Sequence, residues 1–188
     1  MNKKNKPVKN IKVSDDILLK EMEYSDAPDI FHTIDSQRKY LGEWLPFVHT
    51  TLKMEDTEAF VDSALNRPEE FREYTFVIHY RDRFAGLAGF RDSDRSNQRT
   101  EIGYWLSEDL QKKGIVTSSV KSLMDFAFNE LDMNRIQIRC AVGNYRSSNI
   151  PKNLDFKFEG IEREGEKKYD GTFADIEVYS KLKKDYEL

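Results

Sequence analysis

The residues with the clearest chemical potential lie in "DLQKKGIV", Asp109 to Val116, where a strand-like run gives way to a helix-like one. The first turn of a helix leaves several backbone N–H groups without intrahelical acceptors and carries partial positive charge. Together these hold a phosphate-sized anion. Gly114 lets the backbone approach such an anion closely, and Lys112 and Lys113 add mobile positive charge beside it. The same residues also read as a surface loop with two solvated lysines, since short glycine patterns recur by chance. A nucleoside-triphosphate loop fits less well, because it needs two glycines and a Gly-Lys-Ser/Thr ending. His32, His49 and His79 are scattered without metal-ligand spacing, so no catalytic metal is expected. The single cysteine, Cys140, has no disulfide partner and sits in the alternating stretch "IQIRCAV", where it reads as a small core residue.

The elements that must position this turn follow from composition and periodicity. A chain of 188 residues with 38% hydrophobic and 34% charged residues is too apolar for disorder and too polar for a membrane protein, so it is expected to be soluble. The basic start "MNKKNKPVKN" is followed by no apolar signal core. It reads as a flexible tail over residues 1–13, ahead of one domain over 14–188 in a cytoplasmic protein. A net charge of -4 argues against wholesale nucleic-acid binding and leaves room for a local basic patch.

"ILLKEM" reads as a strand, and "YSDAPDIFHTIDSQ" as a helix capped by Ser25 or Asp26 with Pro28 in its first turn. An aromatic connector, "YLGEWLPFVHT", leads to a second amphipathic helix that ends before Pro68, with Phe60, Val61, Ala64 and Leu65 on one face. "YTFVIHY", "FAGLAGFRD" and "QRTEIGYWLS" form an antiparallel meander. Val116, Val120, Leu123, Met124, Ala127 and Leu131 recur at helical spacing after the phosphate-like turn, and "RIQIRCAV" is the next strand. A short helix around residues 147–154 accommodates Pro151 if the proline falls in its first turn. Two closing strands flank the turn "DGT". The order β-α-α-β-β-β-α-β-α-β-β predicts an α/β (α+β) fold: a mixed, mostly antiparallel seven-stranded sheet with helices on both faces.

This order, together with "EIGYWLSEDLQKKGIVTSSVKSLMDFAF" and "NRIQIRCAVGNYRSSNIPKNLDFKFEGIEREGE", resembles the GCN5-related N-acetyltransferase (GNAT) superfamily. The similarity runs from about Ser14 to Lys183 and is greatest to the ribosomal-protein-alanine and -serine acetyltransferase branch. It implies that the turn binds the pyrophosphate of acetyl-CoA, with Gln111 and Gly114 at the family's first two fixed positions. Val116 replaces the usual Gly or Ala, which is tolerable if its side chain enters the core while its N–H faces the phosphates. The resemblance further implies that "EIGYWLS" and "RIQIRCAV" splay apart and that pantetheine fills the gap as a false strand. The implied cofactor contacts are Trp105, Leu106, Gln111, Lys112, Lys113, Gly114, Ile115, Val116, Thr117, Asn144 and Ser147.

Transfer from a thioester to an amine needs a neutral amine, a stabilised oxyanion and a protonated leaving thiolate. By the resemblance, Asn144 holds the pantetheine arm and Ser147 lies near the thioester sulfur as proton donor. The tyrosine that many members carry further along this helix falls on Pro151, which has no donor. Glu166 on the penultimate strand is the favoured general base and Glu101, beside the cofactor, the competitor. Trp44 and Phe47 either shape the acceptor pocket or only pack the connector. Asp155 stands where the family usually has glycine, and aspartate tolerates a left-handed backbone. The expected activity is acetyl-CoA-dependent N-acetylation of a protein N-terminal α-amine. A small amine acceptor, or a non-catalytic acetyl-CoA-binding regulatory module, are the alternatives. No membrane or direct nucleic-acid partner is expected, and a homodimer is compatible with the resemblance.

Overall fold

In the computed structural model, residues 9–68 and 72–186 are described. Their strands are β1 (Asn10–Lys12), β2 (Ile17–Glu21), β3 (Thr75–Tyr80), β4 (Arg83–Asp94), β5 (Arg99–Leu106), β6 (Arg135–Ala141), β7 (Lys157–Lys167) and β8 (Phe173–Leu182). The helices are α1 (Ala27–Ser36), α2 (Arg38–Leu41), α3 (Met54–Leu65), α4 (Ile115–Asn129), α5 (Tyr145–Asn153) and α6 (Lys183–Tyr186). The strands form one sheet in the order β1-β2-β3-β4-β5-β6-β8-β7. Every neighbouring pair is antiparallel except β5 and β6, which α4 connects as a crossover.

Strand alternation sends successive side chains to opposite faces, and both faces are covered. Phe76 and Ile78 of β3 join Val120, Leu123, Met124 and Ala127 of α4 in one buried cluster. Val77 points the other way and meets Ile30 and Ile34 of α1 and Val61 of α3. The larger of these side chains contribute about 1.5–3 kcal/mol each by leaving water. The apolar stripe of α4 therefore anchors the helix whose first turn follows Gly114. On α3 the buried positions are Thr57 and Val61, whereas Phe60 and Leu65, read as part of the buried face, are exposed. The face turned to the core is narrower than the apolar pattern of that helix.

The sheet has eight strands, one more than the sequence predicted, because Asn10–Lys12 pairs with β2 through Asn10↔Lys20, Ile11↔Leu19 and Lys12↔Leu18. The tail reading therefore gives way from residue 9 onward, and residues 1–8 lie outside the described residues. The outer edge of β2 would otherwise present unpaired backbone groups, and pairing also lets Ile11 and Val13 pack against the core. Lys9 finishes the join. Its amide donates to Glu21 Oε2 at 3.0 Å, and its ammonium lies 2.9 Å from Glu130 and 4.5 Å above the Phe126 ring.

Candidate active site

The parallel ladder between β5 and β6 is short. It comprises Arg99↔Arg135, Thr100↔Ile136 and Glu101↔Gln137, and beyond that point the strands part while β5 runs on to Leu106 and β6 to Ala141. The outer edges of both strands stay fully engaged, β5 with β4 as far as Gly86↔Leu106 and β6 with β8 as far as Ala141↔Ile176. The wedge is therefore a built feature, open to an extended, peptide-like arm that can bond its free edges. This is the predicted splay.

At the mouth of the wedge the chain turns through Gln111, Lys112, Lys113 and Gly114 into α4. Gly114 is the residue before the helix and adopts φ 73, a left-handed conformation natural to glycine, with no atom within 4 Å of where a Cβ would sit. Lys112 is also left-handed, at φ 63. Among the described residues, no acceptor takes the amides from Lys112 to Thr117. Exposed Lys112 and Lys113 flank these amides, with the Lys113 ammonium 5.6 Å over the Tyr80 ring. Ile115 is buried and Val116 half-buried against the main core, so the β-branched side chain at this position points inward. Gln111 Nε2 reaches back to the Leu106 carbonyl at 3.5 Å, and Trp105 packs on Phe84 at 5.9 Å. A brace not read from the sequence is Gln37. Its Nε2 donates to Ser107 Oγ at 2.6 Å and its Oε1 accepts from the Glu108 amide at 2.9 Å, tying the approach to the turn to the end of α1.

On the other side of the wedge, Asn144 caps α5 by accepting from the Ser147 amide at 3.2 Å. The helix begins at Tyr145, so Pro151 lies inside it and not in its first turn as expected. A helix-interior proline removes one N–H and leaves the carbonyl four residues earlier without its donor. That carbonyl belongs to Ser147, and the Tyr104 hydroxyl donates to it at 3.0 Å. Ser147 Oγ in turn donates to the Tyr104 oxygen at 3.3 Å. Tyr104, on the diverging part of β5, is thus tied to Ser147 although no local motif marks it. Burial pushes its phenol pKa well above the usual range, so it remains a donor. Cys140 is buried as expected, and burial, with Glu177 nearby, pushes its thiol up to about 12. Asp155, at φ 55, ends the α5 region in the left-handed turn that aspartate tolerates.

The two carboxylates differ in setting. Glu101 sits at the last paired position of the ladder, with 2% of its side chain exposed, and accepts from Arg91 Nε at 2.6 Å and Gln137 Nε2 at 3.2 Å. Glu166 lies exposed on the edge strand β7, opposite Ala174 and just past a bulge at which Glu164 turns left-handed with φ 52. The β7–β8 turn beyond it reaches the aromatic connector: Tyr169 stacks on His49 with centroids 4.2 Å apart. Trp44 lies over the end of β6, where a Cβ on Gly143 would meet its ring at 3.8 Å. Arg146 sits 5.5 Å from the centre of the Tyr40 ring, and Phe47 is exposed beside His49 in a short 3-10 turn, Pro46–His49. The sequence placed Tyr40 and His49 only in the aromatic connector and gave no sign of Arg146 or Tyr169, because the contacts of all four join distant segments.

This fold and cleft define an acyl-CoA-dependent acyltransferase. The Acetyltransferase (GNAT) domain family matches residues 16–157. The chain is 30% identical to a protein of Bacillus subtilis (strain 168) named putative ribosomal N-acetyltransferase YdaF, over 94% of this chain and 96% of that one. It is 24% identical to the ribosomal-protein-serine acetyltransferase of Escherichia coli (strain K12), over 92% and 96% of the respective chains. Its backbone superposes with a TM-score of 0.87 on a structure of RimL, the ribosomal L7/L12 α-N-protein acetyltransferase, in complex with coenzyme A, at 24% identity over 93% of this chain and 98% of that one. The chain belongs to the GNAT acetyltransferase family. It is an N-acetyltransferase, and acetyl-CoA is its acetyl donor.

Proposed function

We propose that the chain acetylates the N-terminal α-amine of a ribosomal protein, with Glu166 as general base and Ser147 as the acid for the departing thiol. The observation that carries this reading is the contrast between the carboxylates. Glu101 is locked between Arg91 and Gln137, whereas Glu166 is exposed on the strand whose turn closes over the aromatic connector. A base must reach solvent water or the incoming amine, and the exposed setting of Glu166 favours it for that part. In the reaction the amine nitrogen bonds to the acetyl carbon as the C–S bond breaks. The amine proton leaves through water to Glu166, and Ser147 Oγ–H supplies the sulfur with a proton that water restores. Asn144 and the amides of the Gly114 turn hold the pantetheine and pyrophosphate. Trp44 and Phe47 line the acceptor side. The names of the relatives support the choice of acceptor, and a cytoplasmic setting without direct nucleic-acid contact goes with it.

Thiol release from acetyl-CoA, measured with N-terminal peptides of ribosomal proteins and with polyamines, tests the reading. Faster release with the peptides is expected. Preference for polyamines transfers the assignment to a small-amine enzyme, and tight acetyl-CoA binding without release to any acceptor identifies a regulatory module.

A further inference from the structure

We infer that Tyr104 is a positioning residue for Ser147 and that Pro151 gives it this role. The inference rests on the reading of Ser147 as the group that faces the thioester sulfur. In an α-helix each carbonyl accepts from the amide four residues on, and at Ser147 that amide is the missing N–H of Pro151. A carbonyl left without a partner at a half-buried helix end is costly, and here the donor comes from outside the helix, the Tyr104 hydroxyl at 3.0 Å. The same phenol oxygen accepts from Ser147 Oγ at 3.3 Å, while Asn144 Oδ1 holds the Ser147 amide at 3.2 Å. Carbonyl, hydroxyl and amide of one serine are thus each fixed, two of them by a single side chain.

Tyr104 lies opposite Ala88 of β4 and beyond the last residue paired between β5 and β6. The strand that lines one wall of the wedge therefore sets the position of the serine on the other wall. When the Ser147 hydroxyl turns from Tyr104 toward a sulfur in the wedge, the bond to the carbonyl remains and keeps the helix end in place. An ordinary residue at position 151 would satisfy the carbonyl within the helix and release the tyrosine from this task.

The test is steady-state kinetics on Tyr104→Phe in the wild-type, Pro151→Ala and Ser147→Ala backgrounds, with acetyl-CoA and an N-terminal peptide. In the wild-type background Tyr104→Phe is expected to lower kcat about tenfold with the KM for acetyl-CoA changed less than about twofold, because small misplacement costs turnover more than binding. In Pro151→Ala the restored amide takes the carbonyl, and the loss shrinks to about threefold. In Ser147→Ala the substitution costs nothing further. An unchanged kcat for Tyr104→Phe, or an equal loss in all three backgrounds, overturns the inference. Ser147→Ala with full turnover instead overturns the reading of Ser147, and the inference falls with it. A tetrafluorinated tyrosine at position 104, whose phenol is acidic enough to titrate in the assay range despite the upward push of burial, keeps the ring in place and covers the case in which Tyr104→Phe does not fold. Turnover is then expected to fall on the alkaline side as the phenol loses its donor proton, and a pH profile identical to wild type overturns the proposal.

Discussion

The imidazole of His49 lies on the phenol ring of Tyr169, with centroids 4.2 Å apart and planes 13° from parallel. His49 Nε2 also lies 2.9 Å from the Gly42 carbonyl, so the ring is held from the connector side before the β7–β8 turn covers it. An aromatic pair of this kind contributes about 0.5–1.5 kcal/mol beyond its buried area. Tyr169→Ala is therefore expected to raise the KM for the acceptor by roughly three- to tenfold while the Kd for acetyl-CoA stays within about twofold. Peptide-dependent kinetics beside calorimetry of the cofactor would reveal the split, and equal effects on both ligands would contradict it.

Gly114 supplies backbone shape and no side-chain contact. Its φ of 73 costs an L-residue about 1–2 kcal/mol, although a Cβ would meet nothing within 4 Å. Gly114→Ala should weaken acetyl-CoA about tenfold as the turn relaxes and its amides lose aim. Calorimetry with acetyl-CoA and with S-acetylpantetheine, which lacks the pyrophosphate, locates the loss, which is expected for the first ligand and not for the second.

Glu101 and Glu166 should separate stability from turnover. Glu101→Gln removes the charge that Arg91 and Gln137 hold in place, and because the Arg91 side chain is 50% exposed the loss is moderate, about 1–2 kcal/mol. That lowers the melting temperature by roughly 2–8 °C. Glu166→Gln lies on an exposed edge and should change stability by less than about 0.5 kcal/mol while cutting kcat by about a hundredfold. A large loss of kcat in Glu101→Gln with Glu166→Gln unaffected would exchange their roles.

The acid limb of stability should depend on Glu159. The Arg135 guanidinium, assisted by the Ser180 hydroxyl, holds the Glu159 carboxyl down to about 2, through bonds of 2.7 and 2.6 Å from its two terminal nitrogens. The folded value lies below the unfolded one of about 4.3. The stabilisation is thus fully present above pH ~4.3 and is lost as the pH falls toward 2, reduced in size by solvent around this partly exposed pair. Urea midpoints at pH 7 and pH 3 should differ less for Glu159→Gln than for wild type, and an equal difference would show that the pair carries no linkage.

Local order along the chain was enough for much of this protein. The alternation in "YTFVIHY" and "RIQIRCAV" marks strands, and the spacing from Val116 to Ala127 marks α4. Gly114 after two lysines marks the turn into the N-terminus of α4, because backbone conformation and helix polarity depend on neighbours in sequence. Tertiary structure alone decided the rest. Residues 10–12 carry no periodic signal and become a strand only because β2 has a free edge to satisfy. Pro151 breaks the rule for short helices because Tyr104, distant in sequence, supplies the donor that the proline lacks. The seating of Tyr169 on His49 and the burial of Glu101 arise in the same way, from packing of segments that are remote in the chain. Periodicity and turn chemistry are properties of a stretch of residues, whereas the partner that satisfies a buried polar group is chosen by the whole sheet.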